Sequence, residues 1–287
     1  FSVIGVKPDL IWRCRNGFAE INKSPEDPEA FVREEIPVLA SLRALMALSK
    51  MPDTGSLPPM AAGLFGYFGY DMIREIESIP ASKKPELAMD DSILLRPSLI
   101  AIFDRLKDSI TLVTQIRPYE WKKSEQAWEV SQSLLAGAIA ALDNPLPPTQ
   151  VGDSNAHLSE PISNMSKPAF LKMVEKAKEH ICAGDIFQIV LSQRFSIPFN
   201  LPSVNLYRAL RRLNPSPFLF HFSFDKMALV GSSPEILVRL RDHEITIRPV
   251  AGTRKRGATS EEDKANSDDL MNDVKERAEH LMLLDLG

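Results

Sequence analysis

The stretch FLFHFSFDKMALVG, residues 218–231, carries the clearest structural pattern of the chain. Phenylalanine recurs at every second position in its first half, which is the period of a β-strand. Asp225-Lys226 supplies the turn before a second strand. Further strands are predicted over 235–240 and 244–249, joined at Asp242-His243. This part of the chain is therefore predicted to consist of short hairpins.

Helices are predicted on both sides of these hairpins. Apolar residues at helical spacing place one helix before Gly184, where a C-terminal glycine is typical. A strand is predicted over 185–197, followed by a helix that Ser203 caps. The last helix is predicted over 262–284, and its buried side is formed by Leu270, Val274, Ala278 and Leu281. This mixed order favours an α+β fold with mainly antiparallel sheets and flanking helices.

The amino-terminal half has a similar mixture of elements. Asn16-Gly17 predicts a tight turn between two strands. Asp27-Pro28 predicts the start of a helix that Pro52 ends. The segment GLFGYFGYDMIREIE, residues 63–77, is interpreted as an aromatic-rich strand rather than as a ligand cradle. The remaining predicted elements are a hairpin of 98–104 with 109–116 and a helix from Ser124 to about Leu142.

The stretch 143–168 separates the two halves. It is rich in Pro, Ser and Asn and has no periodicity, which is typical of a linker or a long surface loop. A length of 287 residues also favours two domains. We therefore predict an amino-terminal region over 1–142, a linker over 143–165 and a second domain over 166–287.

Composition and charge exclude several classes of protein. The net charge is −4, which argues against a dedicated nucleic-acid binder. No apolar run is long enough to span a bilayer, so no membrane partner is expected. Only two cysteines occur, Cys14 and Cys182, which is typical of the reducing cytoplasm. The chain begins at Phe1 inside an apolar run and stops at Gly287 directly after a helical pattern, so we expect a fragment.

Three groups of charged residues are candidates for chemistry. Glu276 and Glu279 lie three apart on the last predicted helix, so both carboxylates project from one side and suit Mg²⁺, although a solvated acidic face fits the same spacing. Glu235 follows Gly-Ser-Ser-Pro and is a candidate general acid or an exposed strand start. The basic residues of IRPVAGTRKRGA, residues 247–258, fit an anion site or a solvated loop. No G-x-S-x-G or G-x-C-x-G nucleophile motif is present.

Five motifs in a fixed order give these candidates a common context. They are AGDIFQIVLSQRF (183–195), NPSPFLF (214–220), GSSPEIL (231–237), IRPVAGTRKRG (247–257) and DVKERAEHLMLLDLG (273–287). The set resembles the chorismate-utilising enzymes, and within them the anthranilate synthase component I family. Its resemblance implies the chorismate-binding enzyme fold, with 166–287 as the first part of the catalytic domain and the C-terminal side missing.

The resemblance implies an activity and assigns residues to it. Chorismate and ammonia would give anthranilate and pyruvate, a step of tryptophan biosynthesis. Gly252 and Thr253 would contact chorismate, while Glu279 would ligate Mg²⁺ with Glu276 in support. Further positions match the general acid (Glu235), the base of sibling enzymes (Gln188) and the tryptophan feedback site (Pro217, Phe218 and Leu219).

Two residues distinguish among members of this family. Gln188 stands where water-activating siblings carry lysine, and Ala251 stands where aminodeoxychorismate synthase carries a nucleophilic lysine. The resemblance therefore implies direct addition of ammonia, delivered from glutamine by a separate amidotransferase subunit. Aminodeoxychorismate synthase and a non-catalytic tryptophan-binding remnant are the alternatives, and the 287 residues alone are expected to be inactive.

Overall fold

The computed structural model describes residues 1–51, 55–80, 87–117, 123–145 and 159–287. The chain divides into two compact units, Phe1–Thr149 and Gln150–Gly287. This division falls within the predicted linker 143–165, although most of that segment lies outside the described residues, as does Pro52.

The first unit is built on an antiparallel sheet of six strands. Their order is β3-β2-β1-β5-β4, and β6 pairs with the other half of β5. The strands are β1 (Ser2–Arg15), β2 (Phe18–Asn22), β3 (Phe31–Arg33), β4 (Phe65–Phe68), β5 (Ser92–Asp104) and β6 (Ser109–Thr114). The helices are α1 (Val38–Ser49), a 3₁₀ helix (Tyr70–Glu75) and α2 (Ser124–Asp143). The central pair is β1 with β5, which are hydrogen-bonded along almost their whole length.

The core of this unit forms where α1 covers the sheet. Trp12 of β1 is fully buried among apolar residues of β1, β5 and α1. Its indole N–H donates to the Ser41 hydroxyl of α1 at 2.8 Å, so the polar end of the ring is satisfied inside the core. This bond fixes the position of the helix on the sheet.

Two amino-terminal expectations have different outcomes. The Asn16-Gly17 turn is confirmed, because both residues have positive φ (53° and 74°) as the tight turn between β1 and β2 requires. The helix start at Asp27-Pro28 is wrong. Asp27 instead accepts hydrogen bonds within a turn that leads into β3, and α1 begins only after Pro37.

The second unit combines four helices with three two-stranded antiparallel sheets. The strand pairs are β7 (Ile162–Ser163) with β8 (Phe195–Ser196), β9 (Phe218–Ser223) with β10 (Ala228–Ser233), and β11 (Arg239–Arg241) with β12 (Glu244–Thr246). The helices are α3 (Lys167–Ala183), α4 (Ser203–Leu213), α5 (Ser260–Asn272) and α6 (Val274–Leu286). Every strand pair of both units is antiparallel, so the α+β prediction is confirmed.

The strand predicted over 185–197 is wrong for most of its length. Only Phe195–Ser196 pairs with a neighbour, and 185–194 is irregular. An alternating pattern forms a strand only beside a partner strand, and the described residues place none along 185–194. Its apolar side chains are correspondingly exposed, with Phe187 81% and Val190 85% accessible.

The single helix predicted over 262–284 is two helices. The break lies at Asp273, whose extended backbone ends α5 and whose carboxylate accepts hydrogen bonds from the first N–H groups of α6. The buried side predicted for this helix is also wrong, because Val274 is 81% and Leu281 58% exposed. Because the chain changes direction at Asp273, Val274 lies in the first turn of a new helix.

Ser203 does not cap α4, contrary to the prediction. The N-cap position is Pro202, and the Ser203 hydroxyl lies 2.8 Å from Nε2 of His221 on β9. Tyr207 of α4 packs against the same imidazole ring, with the ring centroids 6.1 Å apart. Ser203 and Tyr207 therefore bind α4 to the β9–β10 hairpin.

Among the residues that the structure describes, no helix has both the length and the apolar character that crossing a membrane requires.

Two glycines of the first unit allow a matched test of packing. A Cβ atom at Gly66 of β4 would overlap the backbone of Ile93 on β5, whereas one at Gly137 of α2 would meet open space. We expect Gly66→Ala to destabilise the unit by about 1–3 kcal/mol. We expect Gly137→Ala to stabilise it by about 0.5–1 kcal/mol, because alanine is the better helix former. Urea unfolding of both variants measures the two changes, and a common sign would contradict the packing described.

Candidate functional site

The candidate site is built around the turn that follows β12. This turn contains Val250, Ala251, Gly252 and Thr253 and leads through 254–258 to α5. Oε1 of Glu235 accepts a hydrogen bond from the Val250 N–H at 3.1 Å. The predicted general acid is therefore held against the backbone of the predicted substrate turn, two residues from Gly252.

Ser233 fixes the backbone around Glu235. Its hydroxyl donates to the Glu235 carbonyl at 2.9 Å and accepts from the Glu235 N–H at 3.3 Å. The Glu235 side chain thus leaves the end of β10 in a defined direction. Glu235 is exposed to solvent.

Gly252 packs directly against a predicted metal ligand. A Cβ atom at this position would overlap Oε2 of Glu276. Only glycine lets the turn approach the carboxylate this closely. Thr253, the other predicted substrate contact, is exposed beside it. The substrate turn and the acidic helix therefore meet at Gly252 and Glu276.

Glu276 and Glu279 are one turn apart on α6. Both are half-buried, and their spacing of three residues places them on the same side of the helix. Two carboxylates suit Mg²⁺, which accepts one or two of them and takes its other ligands from substrate and water. Among the described residues, no group of three or more His, Cys, Asp or Glu side chains forms a complete metal site. This pair fits part of a magnesium site.

The basic residues after the turn are paired with acidic residues of α5 and of the α5–α6 junction. Nε of Arg254 lies 2.6 Å from Asp269, and its Nη2 lies 2.8 Å from Asp273. Arg256 pairs with Asp263 at 2.8 Å. The segment 254–258 is therefore attached to α5, and Arg254 is already bound to carboxylates rather than available for an anionic substrate.

Hydrogen bonds in this network shift two pKa values. The bond to Asp269, together with a second one to Asp273, raises the pKa of the Arg254 guanidinium. The backbone N–H of Glu276, followed by Arg254, lowers the pKa of Asp273. Both shifts favour the charged forms, so the pair stays ionised across the neutral pH range.

The remaining predicted residues lie in two places. Pro217, Phe218 and Leu219 lead into β9, where Phe218 pairs with Ser233 and Leu219 with Ser232 of β10. Ser232 also donates to the Asn214 carbonyl at 2.9 Å, so the predicted effector segment is bound to the strand that ends before Glu235. Gln188 is exposed in the irregular stretch 185–194.

Sequence reasoning missed the roles of Arg254 and Asp273. Asp273-Val-Lys-Glu276 has the Asp-x-x-Glu spacing of a helix N-terminus, and Oδ1 of Asp273 accepts from the N–H groups of Lys275 and Glu276 at 3.0 and 3.2 Å. That signal was available in the sequence. The pairing of Arg254 with Asp269 and Asp273 has no comparable local signal.

The chain is similar to known proteins along its whole length. The chain is 48% identical over 288 residues to anthranilate synthase component 1 of Cereibacter sphaeroides, covering 100% of the chain and 58% of that protein. It is 39% identical over 292 residues to anthranilate synthase component 1 of Pseudomonas putida, with the same coverage. The crystal structure of anthranilate synthase component I from Streptococcus pneumoniae superposes with a TM-score of 0.83 at 29% identity, covering 100% of the chain and 60% of that protein.

The chain thus spans about 58% of the length of the curated relatives that it matches. A family model described as chorismate binding enzyme matches residues 10–287. Because this match covers nearly the entire chain, the chain belongs to the chorismate binding enzyme family.

Proposed function

We propose that this chain is part of an anthranilate synthase component I, which converts chorismate and ammonia to anthranilate and pyruvate in tryptophan biosynthesis. The observation that carries the proposal is the meeting of Glu235, Gly252 and Glu276 around one turn, in a chain whose relatives bear that name. The complete protein is a chain as long as the curated relatives that contains these 287 residues. The proposed location is the cytoplasm.

Substrate binding is assigned to the turn. Chorismate is a dianion, and backbone N–H groups at Gly252 and Thr253 are suitable donors for a carboxylate. The absence of a side chain at Gly252 keeps Glu276 close to that carboxylate. Glu279 and Glu276 are the residues that would hold Mg²⁺, which would neutralise charge between enzyme and substrate carboxylates when bound.

Glu235 is assigned the role of the general acid, which donates a proton to the leaving hydroxyl of chorismate. Its Oε1 is oriented by the Val250 N–H at 3.1 Å, so Oε2 is the oxygen that carries the proton. The donated proton leaves with the hydroxyl as water while ammonia forms the new C–N bond. Elimination of pyruvate then gives the aromatic product.

Ammonia is proposed to add directly. Ala251 has no nucleophilic side chain next to Gly252, and Gln188 is not a base that could activate water. Ala251 disfavours aminodeoxychorismate synthase, which is the second enzymatic candidate, and Gln188 disfavours the water-activating members of the family. We propose a separate glutamine amidotransferase subunit as the source of ammonia.

Tryptophan is proposed as the feedback inhibitor that binds at Pro217, Phe218 and Leu219. The support is the pairing of this segment with β10 immediately before Glu235, because a ligand that shifts the segment also acts on that strand. Inhibition of turnover by tryptophan would distinguish a regulated enzyme from a non-catalytic tryptophan-binding remnant, because only the enzyme has turnover to inhibit.

We expect the complete protein to form anthranilate, and not 4-amino-4-deoxychorismate, from chorismate, ammonium and Mg²⁺. The reason is that Ala251 cannot attack the substrate and Gln188 does not activate water. Chromatographic identification of the product measures the outcome. A dominant para-amino product would refute the proposed reaction, and the absence of any product would favour the non-catalytic remnant.

We expect Glu279→Gln to weaken the apparent affinity for Mg²⁺ strongly and nearly to abolish turnover, because the amide removes a charged oxygen ligand. Glu276→Gln should weaken it by about 10-fold to 100-fold, as changes beside a primary ligand do. Glu261→Gln in the exposed first turn of α5 is the control. Initial rates across a Mg²⁺ titration give the three affinities. Near-normal activity of Glu279→Gln would show that Glu276 and Glu279 form a solvated acidic face and not a magnesium site.

Phe218→Ala in the complete protein should raise the tryptophan concentration needed for half-inhibition by about tenfold, equivalent to about 1.4 kcal/mol of lost binding. Phe199→Ala is a matched control, since the two rings are similarly exposed (44% and 42%) and Phe199 lies outside the segment. Inhibition curves at fixed chorismate measure the ratio. Equal curves for the two variants would place the effector site elsewhere.

A further inference from the structure

Arg254 spans the break between the last two helices. Its Nε bonds to Asp269, near the end of α5, at 2.6 Å. Its Nη2 bonds to Asp273, the N-cap of α6, at 2.8 Å. One guanidinium therefore holds both sides of the junction in a fixed relation, which its planar fork of donors suits.

Asp273 transmits this constraint to α6. Its Oδ2 receives Arg254, while its Oδ1 accepts from the N–H groups of Lys275 and Glu276. Because both carboxylate oxygens are occupied, the plane of the group is fixed. The first turn of α6, which carries Glu276, is fixed with it.

The Glu276 carboxylate lies near two residues of the loop that follows β12, Gly252 and Arg254. Its Oε2 is against the Cα of Gly252, and its Oε1 is 3.9 Å from Nη1 of Arg254. That distance is at the limit of an ion pair, so Arg254 limits the movement of the carboxylate without a direct hydrogen bond to it. The carboxylate keeps lone pairs for another ligand.

We propose that Arg254 is a positioning residue that fixes Glu276 beside the Gly252–Thr253 turn by holding Asp269 and Asp273 across the α5–α6 break. Arg254 binds the carboxylates of Asp269 and Asp273, so the role proposed for it is indirect. It sets the distance between the part of the chain that binds chorismate and the part that binds the cation. The metal-related part of this inference rests on the proposed function, whereas the link between loop and helix does not.

A charge-conserving substitution tests the proposal in the complete protein. Arg254→Lys keeps the positive charge, but a single ammonium group cannot span two carboxylates in the geometry of a guanidinium. Arg256→Lys is the matched control, because Arg256 lies in the same loop, is 90% exposed and pairs with Asp263 alone. The two readouts are Mn²⁺ binding followed by electron paramagnetic resonance and hydrogen–deuterium exchange of the first turn of α6.

We expect Arg254→Lys to weaken Mn²⁺ binding by about tenfold and to speed amide exchange at Lys275 and Glu276, while Arg256→Lys stays within about twofold of the parent in both. Mn²⁺ affinity and exchange unchanged in Arg254→Lys would overturn the proposal. A parent protein that binds no Mn²⁺ would refute the magnesium site, and faster exchange in Arg254→Lys would then still support the link between loop and helix.

Asp269→Asn provides a second measurement if Arg254→Lys does not fold. It replaces one carboxylate of the network with a neutral amide, which weakens that arm, and leaves the bond between Arg254 and Asp273 in place. About a threefold loss of Mn²⁺ affinity, in line with a partial loss of positioning, would support the proposal. Parent-like Mn²⁺ affinity and parent-like exchange in Asp269→Asn would overturn it.

Discussion

The Asp273 carboxylate is the interaction on which the candidate site depends. It caps α6 and binds Arg254, while the extended backbone of the same residue ends α5. A helix N-terminus leaves N–H groups without partners inside the helix, so a side chain that accepts from them decides where the helix begins and how it is aimed. Glu276 and Glu279 take their direction from that start. Without the break, both would belong to one long helix with a different relation to the turn.

A continuous set of contacts runs from β9 to α6. Phe218 pairs with Ser233, whose hydroxyl binds the backbone of Glu235. Glu235 binds Val250, and Gly252 packs on Glu276. Four of the five sequence motifs contribute to this set, which explains physically why they occur together. The fifth motif, 183–195, is largely irregular, and its end pairs with β7 instead.

The sequence predicted those features that depend on neighbouring residues. The turns at Asn16-Gly17 and Asp242-His243 are examples. Their residues have positive φ, and Gly, Asn, Asp and His adopt that conformation more readily than other residue types. The Phe alternation of 218–224 similarly predicted β9. Prediction was wrong over 185–194, because strand formation there depends on a partner that the local pattern cannot specify.

The same distinction between features set by neighbouring residues and features set by distant partners applies to the candidate site. The residue types and the spacing of Glu276 and Glu279 were visible in the sequence, and so was the capping signal at Asp273. The contact between Glu235 and Val250, fifteen positions apart, was not visible, since nothing local specifies it. The same holds for Arg254, whose charge alone suggested either an anion site or a solvated loop. Its distances to Asp269 and Asp273 show instead a guanidinium that binds two carboxylates of its own chain.

Charge around the turn explains why the proposed chemistry uses a cation. Oε2 of Glu276 lies directly against Gly252, and Arg254 pairs closely with Asp269 and Asp273 rather than with Glu276. Glu276 is only at the edge of its reach, at 3.9 Å. A dianionic substrate at this turn would therefore lie beside the negative charge of Glu276, which Arg254 compensates only in part. In the proposed function Mg²⁺ supplies the missing positive charge, while Arg254 leaves the Glu276 oxygens available to bind it.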